Sequence, residues 1–142
     1  MLKNLFFVIL LMVSNIFASN ISITDAYVRA VPPNLNNSAS FMTISNNSNK
    51  DVTLEGIDSI VAKNIELHKH TMENGMMKMK QIKSIKIPAN STVELKPGGL
   101  HVMLIGLNKK LKIGEEIESF TFNFSNNISI TINHIPIKSI MM

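Results

Sequence analysis

From Ile21 to Ile132 apolar residues recur at every second position in short runs closed by Asn, Gly, Pro or Ser, and no stretch sustains a 3.6-residue rhythm. A chain patterned in this way buries its apolar side by pairing strands and packing one sheet on another. The spacing predicts strands near Ile21–Arg29, Ser40–Ser45, Val52–Ile57, Asn64–Thr71, Met76–Ile82, Thr92–Leu95, Leu100–Leu104, Ile117–Phe124 and Ile128–Asn133. The last two, with three Phe facing three Ile, read as an antiparallel hairpin across Ser125, Asn126 and Asn127. About nine short strands with turns at near-regular spacing imply an all-β domain, either a two-sheet sandwich or a small Greek-key barrel.

The chain has no cysteine. Its stability must therefore come from a packed core, and thiol–disulfide exchange, thiolate zinc sites and blue-copper electron transfer are excluded. The first eighteen residues carry one lysine, an apolar stretch from Leu5 to Val13, and small or polar residues up to Ala18. That is the layout of a signal peptide, and the apolar run is short for a span, an uncleaved N-terminal anchor being the alternative. Residues 1–18 are thus expected to be removed and residues 19–142 to form a single periplasmic domain without a membrane span. The formal charge of +4 drops by one with Lys3. Spread over Lys78, Lys80, Lys83 and Lys86 with few aromatics nearby, this excess reads as a solvated face, and no nucleic-acid partner is expected.

Two histidines and two methionines stand at fixed intervals: His68, ten residues, Met79, twenty-one residues, His101, one residue, Met103. Imidazole nitrogen together with thioether sulfur suits soft, monovalent copper. Strand alternation places His101 and Met103 on one face, about 7 Å apart along the backbone, with Leu100, Val102 and Leu104 on the other. His68 is likewise out of phase with Ile65 and Leu67, and Met79 shares a face with Met77. The Asn74–Gly75 and Pro97–Gly98–Gly99 turns draw these strand ends toward a rim, so the site is expected near the surface. Taken singly, each methionine would ordinarily be packing. Met42 is read as core, His134 as a boundary residue, and Met141 and Met142 as a chain end. The four-residue set is the candidate metal site, for one copper(I) ion per chain.

The stretches IELHKHTMENGMMKMK (residues 65–80) and IPANSTVELKPGGLHVMLIGL (residues 87–107), with DAYVRAVPPN and NSASFMTI before them, resemble the periplasmic copper(I) chaperones associated with CuA-centre assembly. The signature of that family, His, ten residues, Met, twenty-one residues, His, one residue, Met, is matched without insertion, and the similarity runs from about Ile21 to Ile132. The resemblance implies a cupredoxin-like Greek-key β-sandwich whose copper(I) ligands are His68, Met79, His101 and Met103. It also implies delivery to the copper-site domain of cytochrome c oxidase subunit II or a related oxidase, with a thiol-bearing assembly protein as a further partner. His70 and Met72 occur in the family outside its core signature.

Thioether carries neither charge nor proton, so such a site holds copper(I) less tightly than thiolate does and yields it to a cysteine-bearing acceptor. A protein that sequesters copper without a delivery partner would use the same ligands. An enzyme is not expected, because no acid or base stands at a recognisable spacing from the set.

Overall fold

The computed structural model describes residues 20–139; the expected signal peptide, residues 1–18, and the terminal Met141 and Met142 lie outside them. Ten strands follow one another: β1 Ile21–Arg29, β2 Asn37–Asn46, β3 Val52–Asp58, β4 Ala62–Glu73, β5 Met76–Ile82, β6 Ile85–Ile87, β7 Ser91–Leu95, β8 His101–Leu107, β9 Glu116–Phe124 and β10 Ile128–Lys138. β1 and β5 have the bounds that the alternation predicts. β6 was not anticipated, because Ile-Lys-Ile is too short to show a period. β10 runs five residues beyond its expected end at Asn133.

The chain forms a β-sandwich. One sheet runs β5-β4-β8-β2-β1 and the other β10-β9-β3-β6, with the end of β10 pairing parallel to β1 at Val28 and Arg29 and so joining them. The junction needs a strand that changes sheets, and His134 supplies the bend at a left-handed φ of 56°. Before that point Ile128, Ile130 and Ile132 pack against the core; after it Ile135 and Ile137 do, so the inward phase shifts by one residue.

β2 serves two partners along one edge. Its first half, Asn37–Ser40, pairs with β8, and its second, Met42–Asn46, pairs with β7. The turn between β7 and β8 therefore sits beside the middle of β2. Pro97 followed by Gly98 at φ 83°, closed by the Gly99 N–H donating to the Lys96 carbonyl at 2.9 Å, has the form of a type II turn.

The core lies between the sheets. Met42, Ile44, Val102 and Leu104 from one face meet Leu54, Phe120 and Phe122 from the other in a single buried cluster. Each such side chain contributes about 1.5–3 kcal/mol of burial, and no disulfide supplements it. The expectation for Met42 holds. The one fully buried asparagine among the described residues, Asn46, is satisfied: its amide donates to the Lys50 and Ile87 carbonyls, and its oxygen accepts from the Ser48 N–H and hydroxyl.

Candidate metal centre

β4 lies between β5 and β8, and the register across the three strands places the expected residues. His68 stands opposite His101 on one side and Gln81 on the other; Glu66 faces Met103, and His70 faces Met79. Leu67, Val102 and Leu104 point into the core, so Glu66, His68, His70, His101 and Met103 share the outer face. The His68 and His101 rings are 5.6 Å apart, and those of His70 and His101 5.1 Å. Met79 and Met103 take the diagonal positions on either side of His68, within reach of long, flexible side chains.

Each of the two expected histidine ligands has one nitrogen tied and one free. His101 Nδ1–H donates to the Gly99 carbonyl at 3.0 Å, which leaves Nε2 as the lone-pair nitrogen, buried and without a hydrogen-bond partner. His68 Nε2–H donates to the Glu66 carboxylate at 2.7 Å, leaving Nδ1 in the same condition. A buried unpaired nitrogen costs about 1–3 kcal/mol, which is relieved if an ion accepts its lone pair. Fixing the tautomer through the other nitrogen is how proteins orient metal-binding imidazoles. Burial holds the His101 ionisation below the ordinary 6.5 against the Gly99 carbonyl, which favours the charged form; positive charge on His70 or His68 lowers it further. The neutral form, the one with a lone pair free to bind a metal, is thereby favoured.

Behind His101 lies an aromatic stack. The Phe41 ring is 6.4 Å from that of His101, and Tyr27 is 5.4 Å from Phe41. Tyr27 reaches this face because β1 carries an extra residue between Thr24 and Tyr27, with Asp25 at φ 54°, which reverses the phase of the strand. A cleft of about 680 Å³ opens above, lined by Val31, Pro32, Phe41, His70, Met79, His101 and Met103 among others. The expectation of a surface site needs correction here. Met79 is 52% exposed, but His101 is only 3% exposed, because β4 and Phe41 flank it. The centre is a buried imidazole floor with a thioether at its mouth.

Among the described residues no group of three or more His, Cys, Asp or Glu could by itself hold a metal ion. The thioethers of Met79 and Met103 are the soft donors that this face offers beside its imidazoles. From the sequence His68, Met79, His101 and Met103 are each expected off the apolar faces and toward a rim; the pairing of β4 with β5 and β8 brings them to one face and adds Glu66, Phe41 and His70, which were not anticipated there. Glu66 and His70 each lie two residues from His68, so strand parity alone would have found them. His134, by contrast, lines a different cleft, with Glu116 and Ile60.

These features define an all-β domain with an outward His/Met centre on one sheet. The chain belongs to the LpqE-like family, whose profile matches residues 21–137. It is 33% identical over 122 residues to protein Lxx21020 of Leifsonia xyli subsp. xyli, covering 85% of this chain and 71% of that protein. It is also 33% identical to RP573 of Rickettsia prowazekii over 100 residues, and spans 55% of that protein's length. Among solved structures it is similar to apo-DR1885 from Deinococcus radiodurans (31% identity, 88% of this chain and 83% of that one, TM-score 0.67). The copper(I) form of DR1885 matches at 34% identity over 81% of this chain and 76% of that one, with a TM-score of 0.66. The copper-bound PCuAC domain from PmoF2 shares the fold at 21% identity, 85% and 94% coverage and a TM-score of 0.71.

Proposed function

We propose that this chain is a periplasmic copper(I) carrier that holds one ion through His68 Nδ1, His101 Nε2 and the sulfurs of Met79 and Met103. In this reading it passes the ion to the copper site of a respiratory oxidase, such as the CuA domain of cytochrome c oxidase subunit II. The observation that carries the reading is the pair of buried, unpartnered imidazole nitrogens on a face that also bears two thioethers. Likeness to a protein solved with copper(I), DR1885, supports the choice of ion. The apolar N-terminal stretch, and membership of a family named for a lipoprotein, support an extracytoplasmic address.

Copper is cargo here, so the residues need only bind and release it. Two neutral imidazoles and two uncharged sulfurs hold the ion without forming a thiolate bond. An acceptor with cysteines wins it by ligand exchange, starting at the exposed Met79. Because the chain lacks cysteine, any reduction of the acceptor's cysteines falls to another reductant, in this reading a thiol-bearing assembly protein.

Competition titration of copper(I) against a chromogenic chelator tests the ligands: His68→Ala and Met103→Ala should both weaken binding while circular dichroism stays that of a folded β protein. Wild-type affinity in both variants would overturn the assignment. Mixing the loaded protein with an apo CuA domain then separates delivery, in which copper moves, from sequestration, in which it stays.

A further inference from the structure

Four of the seven large apolar side chains exposed among the described residues are methionines of the β4–β5 hairpin: Met72, Met76, Met77 and Met79. Three of them are in line. Met72 stands directly opposite Met77, and His70 opposite Met79. Strand parity puts all four of these residues on the face that carries His68 and His101, whereas Met76 falls on the reverse face with Lys69, Lys78 and Lys80. Asn74 and Gly75, both at left-handed φ (52° and 76°), form the two-residue turn that locks this register. Exposure falls along the row, from 69% and 61% at Met72 and Met77 to the buried His101.

An exposed thioether row is costly as plain surface. It leaves apolar area in water and is open to oxidation, while the lysines on the reverse face already keep the hairpin soluble. Directly opposed side chains on paired strands lie about 5 Å apart at Cβ, close enough for two thioethers to converge on one soft ion. His70 adds an imidazole one pleat further in, and none of the hydrogen bonds found among the described residues occupies it.

We propose that Met72 and Met77, with His70 behind them, form a second copper(I) site at the hairpin tip that loads the inner centre. The proposal rests on the carrier reading of that centre. Transfer is ligand exchange alone: the bonds to Met72, Met77 and then His70 break as bonds to Met79, and then to His68, His101 and Met103, form. The copper stays monovalent and no proton moves.

The test is an anaerobic titration with copper(I), following the assigned methionine methyl signals of the full domain by NMR. The Met103 methyl should shift with the first equivalent and those of Met72 and Met77 with a second. A shift at Met103 without any at Met72 and Met77 overturns the hairpin site and leaves the carrier reading standing. Shifts at Met72 and Met77 with none at Met103 sink the inner centre, and the loading role with it. In the double variant Met72→Leu/Met77→Leu, which keeps the bulk and removes the sulfur, the second equivalent should be lost and uptake of the first slowed. Retention of either wild-type behaviour overturns the proposal.

Discussion

The protein contains the same chemical pair twice, a histidine hydrogen-bonded to a glutamate, and uses it in two ways. His68 and Glu66 are 2.7 Å apart with the imidazole side chain 14% exposed; His134 and Glu116 are 3.0 Å apart with the imidazole 80% exposed. At His134 the free nitrogen faces water and the backbone does the work, turning β10 from one sheet to the other. At His68 it is buried and sits on a face with a second imidazole and two thioethers. Carboxylate pairing therefore does not make a ligand. Burial and convergence set the candidate apart, because together they leave two lone pairs without a protein partner on a face that also bears soft donors.

Removing one member of the convergent set should break the contrast most sharply. His101→Ala is expected to weaken copper(I) binding by more than about 100-fold, beyond the 10–100-fold typical for loss of an outer-shell partner. His134→Ala should leave the affinity unchanged. Competition titrations of the two variants decide it, and comparable losses in both would mean that the cleft above His101 is not the site.

The glutamates provide the next step down. Glu66→Ala frees the His68 ring to rotate and to change tautomer, so copper(I) affinity should drop about 10–100-fold. Glu116→Ala removes only a solvent-exposed pair, so affinity should hold and stability should change by at most about 0.5 kcal/mol. Parallel chelator competition and urea unfolding on both variants give the comparison. A drop in affinity for Glu116→Ala would contradict it.

Much of this was legible in the sequence, and the omissions have physical reasons. Period-two alternation depends only on which side chains are apolar, so β1 and β5 could be bounded to the residue and the four spaced candidate residues assigned to outer faces. Alternation says nothing about which strands become neighbours. That β4 lies between β5 and β8, so that His68 meets His101, follows from long-range pairing. Phase reversals were also hidden. The extra residue before Tyr27 and the bend at His134 each interrupt a pattern without a glycine or proline at the spot, and the first of them sends Tyr27 to the outer face. Burial of His101 was missed for the same reason: its neighbour Phe41 comes from β2, whose sequence beside Met42 marks two adjacent apolar residues but not which of them faces out.

The smallest effect tests burial itself. His101 is harder to protonate in the folded protein than at its ordinary value of 6.5, chiefly through desolvation, with His70 and His68 adding to the shift and the Gly99 carbonyl opposing it. A depressed folded-state value means that the unfolded chain takes up the proton first. The stability linked to neutral His101 is then complete above about pH 6.5 and is lost as pH falls through the folded value. Asp51, held below its ordinary 3.8 by the Ala89 N–H and by Lys86, acts only at lower pH. Urea unfolding of the metal-free protein from about pH 7.5 to about pH 5 should accordingly show a steeper decline for wild type than for His101→Gln, which cannot take up that proton. If the two curves run parallel, the fold does not favour the neutral ring, and the contrast with His134 would rest on convergence alone.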